Sequence, residues 1–326
     1  MEVSVGALRA FAVVILAVLF SGGNASAEYP ERNVTVIVPF PAGGASDTTA
    51  RLVAGKISER LKKTFIVENR SGANGALGAT AVMQTSPDGY TLLVGSIGVF
   101  AINPALIKDL KYDPLKDFDL LSVVVRTPNV LVVNPAVPAK SVAELISYLK
   151  ADPGKVTFAS SGIGSSDHLT AALFWQKTDT TGLHVPYRGG GPAINDLIAG
   201  HANASFQNLG AVAQQIKAGT LRALAVTSEK RSETLPDVPT MAEAGVKDLN
   251  VYSWQAAAAP KGLPAAVKAQ LEKEFAESAK APDVKAKFEA VGFEVVATNG
   301  EQFTAFLKSE IDRWKDVIQK GNITAQ

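Results

Sequence analysis

The stretch Pro39-Phe40-Pro41-Ala42-Gly43-Gly44-Ala45-Ser46-Asp47 decides how the rest of the chain is read. It joins an apolar, β-branched run, Val34 to Val38, to a helical pattern that starts near Asp47. The run is short and continuous, as in a buried parallel strand. Ala50, Val53, Ile57 and Leu61 then recur at helical spacing. Between the two, Gly43 and Gly44 open backbone conformations closed to other residues and let a ligand come close. Ser46 or Asp47 is placed to cap the helix. The first amides of a helix have no partner inside it and, with the helix dipole, make a seat for an anion.

A second stretch has the same layout. Phe158-Ala159-Ser160-Ser161-Gly162-Ile163-Gly164-Ser165-Ser166-Asp167-His168 follows a short apolar run and opens a helical pattern. Two such seats, far apart in the chain, predict two lobes closing on one small acidic solute.

Outward from these turns, strands and helices alternate. Phe65–Glu68 and Thr91–Val94 read as further strands of the first lobe, the latter ending at Gly95-Ser96. Val156–Ala159, Leu183–Val185, Ala204–Gln207 and Ala223–Val226 read as strands of the second. This alternation predicts an α/β protein with parallel sheets. Leu120–Val125 and Val130–Val133 read as two strands parted by Thr127-Pro128-Asn129, with no helix between, so the chain crosses between lobes there. Val251–Ala259 reads as the return crossing. Ser141 caps a helix with Glu144 in capping-box position. Phe293–Ala297 reads as a strand and Glu301–Lys320 as a long closing helix. The lobes expected are residues 28–126 with 253–326, and 127–252.

Arg9, the apolar run Phe11 to Phe20 and Ala25-Ser26-Ala27 have the form of a cleavable signal peptide over residues 1–27. Export to the periplasm and a mature start at Glu28 follow. The remaining chain is long enough for two domains and a sizeable core. A formal net charge of +1 argues against nucleic acid as partner. The absence of cysteine removes disulfides, a thiol nucleophile and thiolate metal sites. His168, His184 and His201 lack zinc-binding spacing. No metal or cofactor is expected.

At this point a set of pieces matches a family. They are Val38-Pro39-Phe40-Pro41-Ala42-Gly43-Gly44 with Asp47, Val67-Glu68-Asn69-Arg70, Pro87-Asp88-Gly89-Tyr90-Thr91-Leu92-Leu93 and Tyr112-Asp113-Pro114-Leu115-Lys116-Asp117-Phe118. Val185-Pro186-Tyr187-Arg188-Gly189, Leu221-Arg222-Ala223-Leu224-Ala225-Val226-Thr227 and Leu235-Pro236-Asp237-Val238-Pro239-Thr240 follow in order. The chain resembles the Bug-type (TctC-like) periplasmic solute receptors of tripartite tricarboxylate transporters. The resemblance implies a type II periplasmic binding fold: two doubly wound α/β lobes joined by two crossing strands. It implies a monomer that holds a small carboxylate and hands it to a large and a small integral membrane subunit. A sensory receptor would use the same fold and cleft.

The resemblance also implies the contacts. Phe40 offers an apolar wall, and Pro41, Ala42, Gly43 and Gly44 bring amides to a carboxylate, with Asp47 as cap or contact. Gly95 and Ser96 hold the corresponding strand end. Ser160, Ser161 and Gly162 supply hydroxyls and amides to the second seat, with Ser165 beside them. His168 lies just inside the helix, where packing, capping and ligand contact are all open. Tyr187 and Arg188 precede a glycine run at a strand end, where open α/β sheets bind ligands. Relatives usually carry lysine at Arg188, and a surface-charge role is equally open. Asn208 ends a strand as an amide contact. Arg126, at the crossing, either pairs a second carboxylate or faces solvent, the preferred reading. An enzyme is not expected. Ser165, Asp167 and His168 are too close on one helix start to face each other as a triad, and no G-x-S-x-G elbow occurs.

Overall fold

The computed structural model describes residues 29–325, so the expected signal peptide lies outside the described residues. The elements below belong to the compact unit Arg32–Gln326. In chain order they begin β1 (Val34–Val38), α1 (Ala45–Leu61), β2 (Phe65–Asn69), a tight turn (Ala73–Gly75), α2 (Ala76–Met83) and β3 (Thr91–Ser96). A π turn (Gly98–Ile102), α3 (Asn103–Leu106), β4 (Phe118–Val133), α4 (Val142–Ala151), β5 (Thr157–Ser160) and α5 (Ser166–Thr178) follow. Next come β6 (Leu183–Pro186), α6 (Gly190–Ala199), β7 (Ala204–Asn208), α7 (Leu209–Lys217), β8 (Arg222–Val226) and β9 (Tyr252–Pro260). The chain closes with α8 (Ala265–Lys280), α9 (Pro282–Ala290), β10 (Glu294–Val295) and α10 (Gly300–Lys320).

The strands are ordered β2-β1-β3-β9-β4-β7-β5-β6, with β8 and β10 also pairing with β4. The expected parallel pairing holds for the helix-wound strands, β2-β1-β3 and β6-β5-β7. The strands that cross run antiparallel: β9 against β3 and β4, and β4 against β7 and β8.

Where two strands were expected, β4 is one. Its residues Phe118–Pro128 pair with β9, and Asn129–Val133 with β7. Proline has no N–H to give a ladder, so it is confined to places where none is needed. Pro128 sits where one ladder hands over to the next. The N–H of the next residue, Asn129, goes to a side chain, Thr227 Oγ1, at 2.9 Å, while its carbonyl accepts the Thr227 N–H at 2.8 Å. β10 is shorter than expected because β4 slips register between Val123 and Val125. The Val296 and Ala297 amides then both reach Val124 O, and Ala297 turns to φ +51°. The capping box of α4 is half formed. Ser141 Oγ accepts the Glu144 N–H, but the Glu144 carboxylate accepts from Lys140.

The helical stripe of α10 buries Phe303, Leu307, Trp314 and Ile318. It packs on Trp254 of β9, whose ring lies 5.8 Å from Phe303 and 6.1 Å from Phe100. Each large apolar side chain buried this way contributes about 1.5–3 kcal/mol. The indole N–H groups of Trp254 and Trp314 both donate to Glu310 Oε2, at 3.0 and 3.1 Å, so neither is buried unpaired.

Candidate ligand site

Strand direction places the site. β4 leaves the first ladder and enters the second. β3, antiparallel to β9, runs with β4, whereas β7 runs against it. The carboxyl ends of β1 and β3 therefore point at the carboxyl ends of β5, β6 and β7. Both glycine turns lie on these facing edges, one between β1 and α1, the other between β5 and α5. Ligands bind at such edges because helix N-termini gather there.

The first turn is braced by Asp47. Its carboxylate accepts the Gly43 N–H, the Arg51 Nε–H and the Asn69 amide, each at 2.9 Å. Asn69 also donates to Phe40 O at 3.0 Å, tying the turn to β2. Burial would raise the Asp47 carboxyl, but the Arg51, Gly43 and Asn69 bonds outweigh it and hold it below its ordinary value. Gly43 does take the left-handed backbone the turn requires, at φ +84°. The expectation of a side-chain cap is corrected: Gly44 is the N-cap, and Asp47 reaches back to the turn instead. Ser46 is not a cap either, because its hydroxyl donates to Gln255 Oε1 at 2.5 Å. Pro41, Ala42, Gly43 and Gly44 are exposed. With the Gly43 amide already engaged, the amides left without an acceptor inside α1 begin at Ala45.

Asp167 braces the second turn in the same way. It accepts the Ser161 N–H and the Ser161 Oγ–H, both at 2.7 Å. Ser165 is the N-cap of α5, its Oγ accepting the His168 N–H at 3.4 Å. Gly162, at φ +134°, donates its N–H to Ser160 Oγ. Ser160 Oγ lies 2.6 Å from His184 Nε2, and the His184 ring stacks on His168 at 3.7 Å and 8°. His168 Nδ1 accepts the Gly164 N–H, so this ring faces its own turn. Burial, and then the neighbouring ring, lowers His168 to about 3; burial lowers His184 to about 4. Burial also pushes Asp167 up, against the pull of its donors.

The other expected residues divide. The Tyr187 N–H donates to Ser160 O at 2.9 Å, while its hydroxyl is spent on Asp196 at 2.7 Å. Arg188 is exposed and has no acidic partner among the described residues. Asn208 is the N-cap of α7, and its buried Oδ1 has no donor. Gly95 is buried against Val99 and Phe100, and Ser96 Oγ accepts the Gly98 N–H. Arg126 turns away from both turns, donating to Glu294 at 2.8 Å with its guanidinium 4.0 Å over Tyr252. The surface hollows at Ile146–Lys177–Val246 and Pro138–Ala143–Tyr148 share no residue with either turn.

The two turns are brought together by the loop Ala73–Gly75, which spacing alone did not single out. A side chain at Gly75 would meet Phe40 Cζ at 3.0 Å, so this glycine abuts the first turn. Asn74 Nδ2 donates to Gly164 O of the second turn at 3.2 Å and to Asn103 Oδ1 at 2.9 Å. Ala73 and Asn74 both hold positive φ, at 47° and 49°. Strain of this kind collects at functional sites. Spacing also carried no signal for the bracing residues Asn69 and Gln207, the latter donating through Nε2 to Asp167 Oδ2 at 3.4 Å. Gln255 had a signal, being the one polar residue in the apolar run Gln255–Pro260.

Comparison with known proteins follows the same lines. Residues 49–323 match the model of the tripartite tricarboxylate transporter family receptor. Protein BugT of Bordetella pertussis is 38% identical over 293 residues, covering 90% of each chain. An R. palustris protein solved with adipate superposes with TM-score 0.84 at 35% identity, over 91% of this chain and 99% of the other. MatC from Rhodopseudomonas palustris, with bound malate, superposes at 0.81 with 31% identity, over 89% and 100%. The periplasmic binding protein BugD superposes at 0.82 with 35% identity, over 91% and 100%.

Proposed function

The chain belongs to the tripartite tricarboxylate transporter receptor family, a family of binding proteins rather than enzymes, and on that premise we propose that it holds one small carboxylate between its two glycine turns. The observation that carries this reading is the pair of braced turns on facing strand edges, joined at Asn74–Gly75. Helix N-termini on both edges supply amide donors and partial positive charge. Relatives hold adipate and malate, which fits a site of this chemistry.

The lobes are residues 28–126 with 253–326, and 127–252, joined by β4 and β9. The change of ladder in β4 after Pro128, with β9 starting opposite it at Tyr252, supports that division. The cleft contacts come from the residues expected at each turn, with Ser96, Tyr187, Arg188 and Asn208 at its margins. The receptor works as a monomer in the periplasm after loss of residues 1–27, and passes its solute to the two membrane subunits of the transporter. No helix among the described residues is long and apolar enough to cross a membrane.

A thermal-shift screen against adipate, malate, succinate and citrate tests the binding reading. A ligand at a hundredfold excess over its dissociation constant stabilises by about 2.7 kcal/mol. No shift with any carboxylate would sink it. Uptake by membrane vesicles carrying the two subunits, with and without the receptor, tests delivery. N-terminal sequencing of the exported protein tests the start at Glu28.

A further inference from the structure

Gln255 meets Ser46 through one end of its amide only, and the surroundings of the other end call for a partner. It lies on β9 opposite Ser96, the last residue of β3, at the strand edge that faces the second turn. Its side chain is fully buried. One end of the amide is fixed, Oε1 accepting the Ser46 hydroxyl in the first turn of α1. The other end, Nε2, is buried with no hydrogen-bond partner. Buried amide donors are almost always paired, so an orphan at a ligand edge points to a partner that is not protein. The side chain cannot swing to find one elsewhere without releasing Ser46. Trp254, the preceding residue, packs among Phe100, Phe303 and Phe306, so strand alternation turns Gln255 to the opposite face, that of α1.

We infer that Gln255 donates through Nε2 to an oxygen of the bound solute distant from the carboxylate held at the second turn. Resting on the receptor reading above, this names the solute class: an acid with a second oxygen acceptor, whether carboxylate, hydroxyl or carbonyl. A carboxamide donor suits such an oxygen and gives nothing to a methyl end. Discrimination of this kind is strong because the rejected analogue leaves the buried donor unpaired.

The test compares adipate with hexanoate and succinate with butyrate by calorimetry, on the mature chain and two variants. Gln255→Glu keeps an oxygen for Ser46 and replaces the donor by an anionic acceptor. Gln255→Met keeps the volume and removes the amide, and it serves if the glutamate variant fails to fold. Wild type should prefer one diacid to its monoacid by about tenfold or more. Both variants should lose that preference, while monoacid affinity stays within about twofold of wild type. Equal losses for diacid and monoacid, or a preference that survives in the variants, would overturn the role of Gln255 and leave the receptor reading standing. Wild type that binds a diacid no better than its monoacid overturns the inference as well. Wild type that binds neither kind of acid removes the receptor reading and this inference together.

Discussion

Asn74 Nδ2 donates to Gly164 O at 3.2 Å, joining the loop beside the first glycine turn to the loop of the second. Asn74 is held in place from below. Asn103 accepts from its amide and donates to its carbonyl, and Tyr112 in turn bonds Asn103 and Val99. The bond between the turns thus hangs on a buried polar network rather than on a mobile side chain. This is the arrangement of a latch between facing edges.

Asn74→Gly removes the latch but keeps the left-handed backbone, which glycine adopts freely. A hydrogen bond of this kind contributes about 0.5–1.5 kcal/mol net. The variant should therefore bind the best ligand of the carboxylate panel up to about tenfold more weakly. Small-angle scattering of the saturated protein should show a larger radius than wild type. Equal radius and affinity would mean that the contact does not govern closure.

Gly210 and Gly292 make a second contact between the ladders, backbone against backbone. A side chain at Gly292 would lie 2.6 Å from Gly210 Cα, and one at Gly210 would run into Val291 O. Gly210→Ala should hold the edges apart and weaken binding without touching the solute. Fluorescence transfer between labels on α4 and α8 would report the opening. A variant that closes and binds like wild type would show that this approach can relax freely.

At the first turn, no atom lies within 4 Å of where a Gly43 side chain would begin, so Gly43→Val meets no steric block. Its cost is backbone strain at φ +84°, about 1–3 kcal/mol. The turn should reshape, release Asp47 and lose affinity. At the second turn, Ser161→Ala removes a hydroxyl that now bonds Asp167. That loss should weaken carboxylate binding by about tenfold if the hydroxyl turns to the ligand. Calorimetry with the acid and its amide checks both variants. Equal binding of acid and amide by wild type would remove the anion seat.

The stacked histidines make stability depend on pH. Their ordinary value is 6.5, and in the fold they fall to about 3 and about 4. Below pH 6.5 the unfolded chain takes up protons that the folded chain refuses. Stability should be full above that value and fall as pH drops toward 4. Each refused proton costs up to ~1.4 kcal/mol per pH unit. Asp167 works the other way, since burial raises its carboxyl and acid relieves that cost. Urea unfolding at about pH 7.5 and about pH 4.5 should show the loss, and His184→Gln should shrink it. A variant as acid-sensitive as wild type would place the cause elsewhere.

Local spacing alone determined the strand, turn and helix at Val34–Leu61, the second copy at Thr157–Thr178 and the strand β9. Those features follow from which side chains share a face and where glycine frees the backbone, and both are written within a few residues. What only the tertiary structure decided is who meets whom at the edges. Asp47 looks like a cap in sequence, yet Asn69, from the neighbouring strand, makes it a brace. Ser46 finds its partner 209 residues away at Gln255, and His168 stacks on His184 from the next strand. Pro128 reads as a break between strands until the change of ladder makes its missing N–H harmless. Such pairings depend on strand order and register, which periodicity does not encode, so the sequence marked the two glycine turns while the fold chose the groups that brace them.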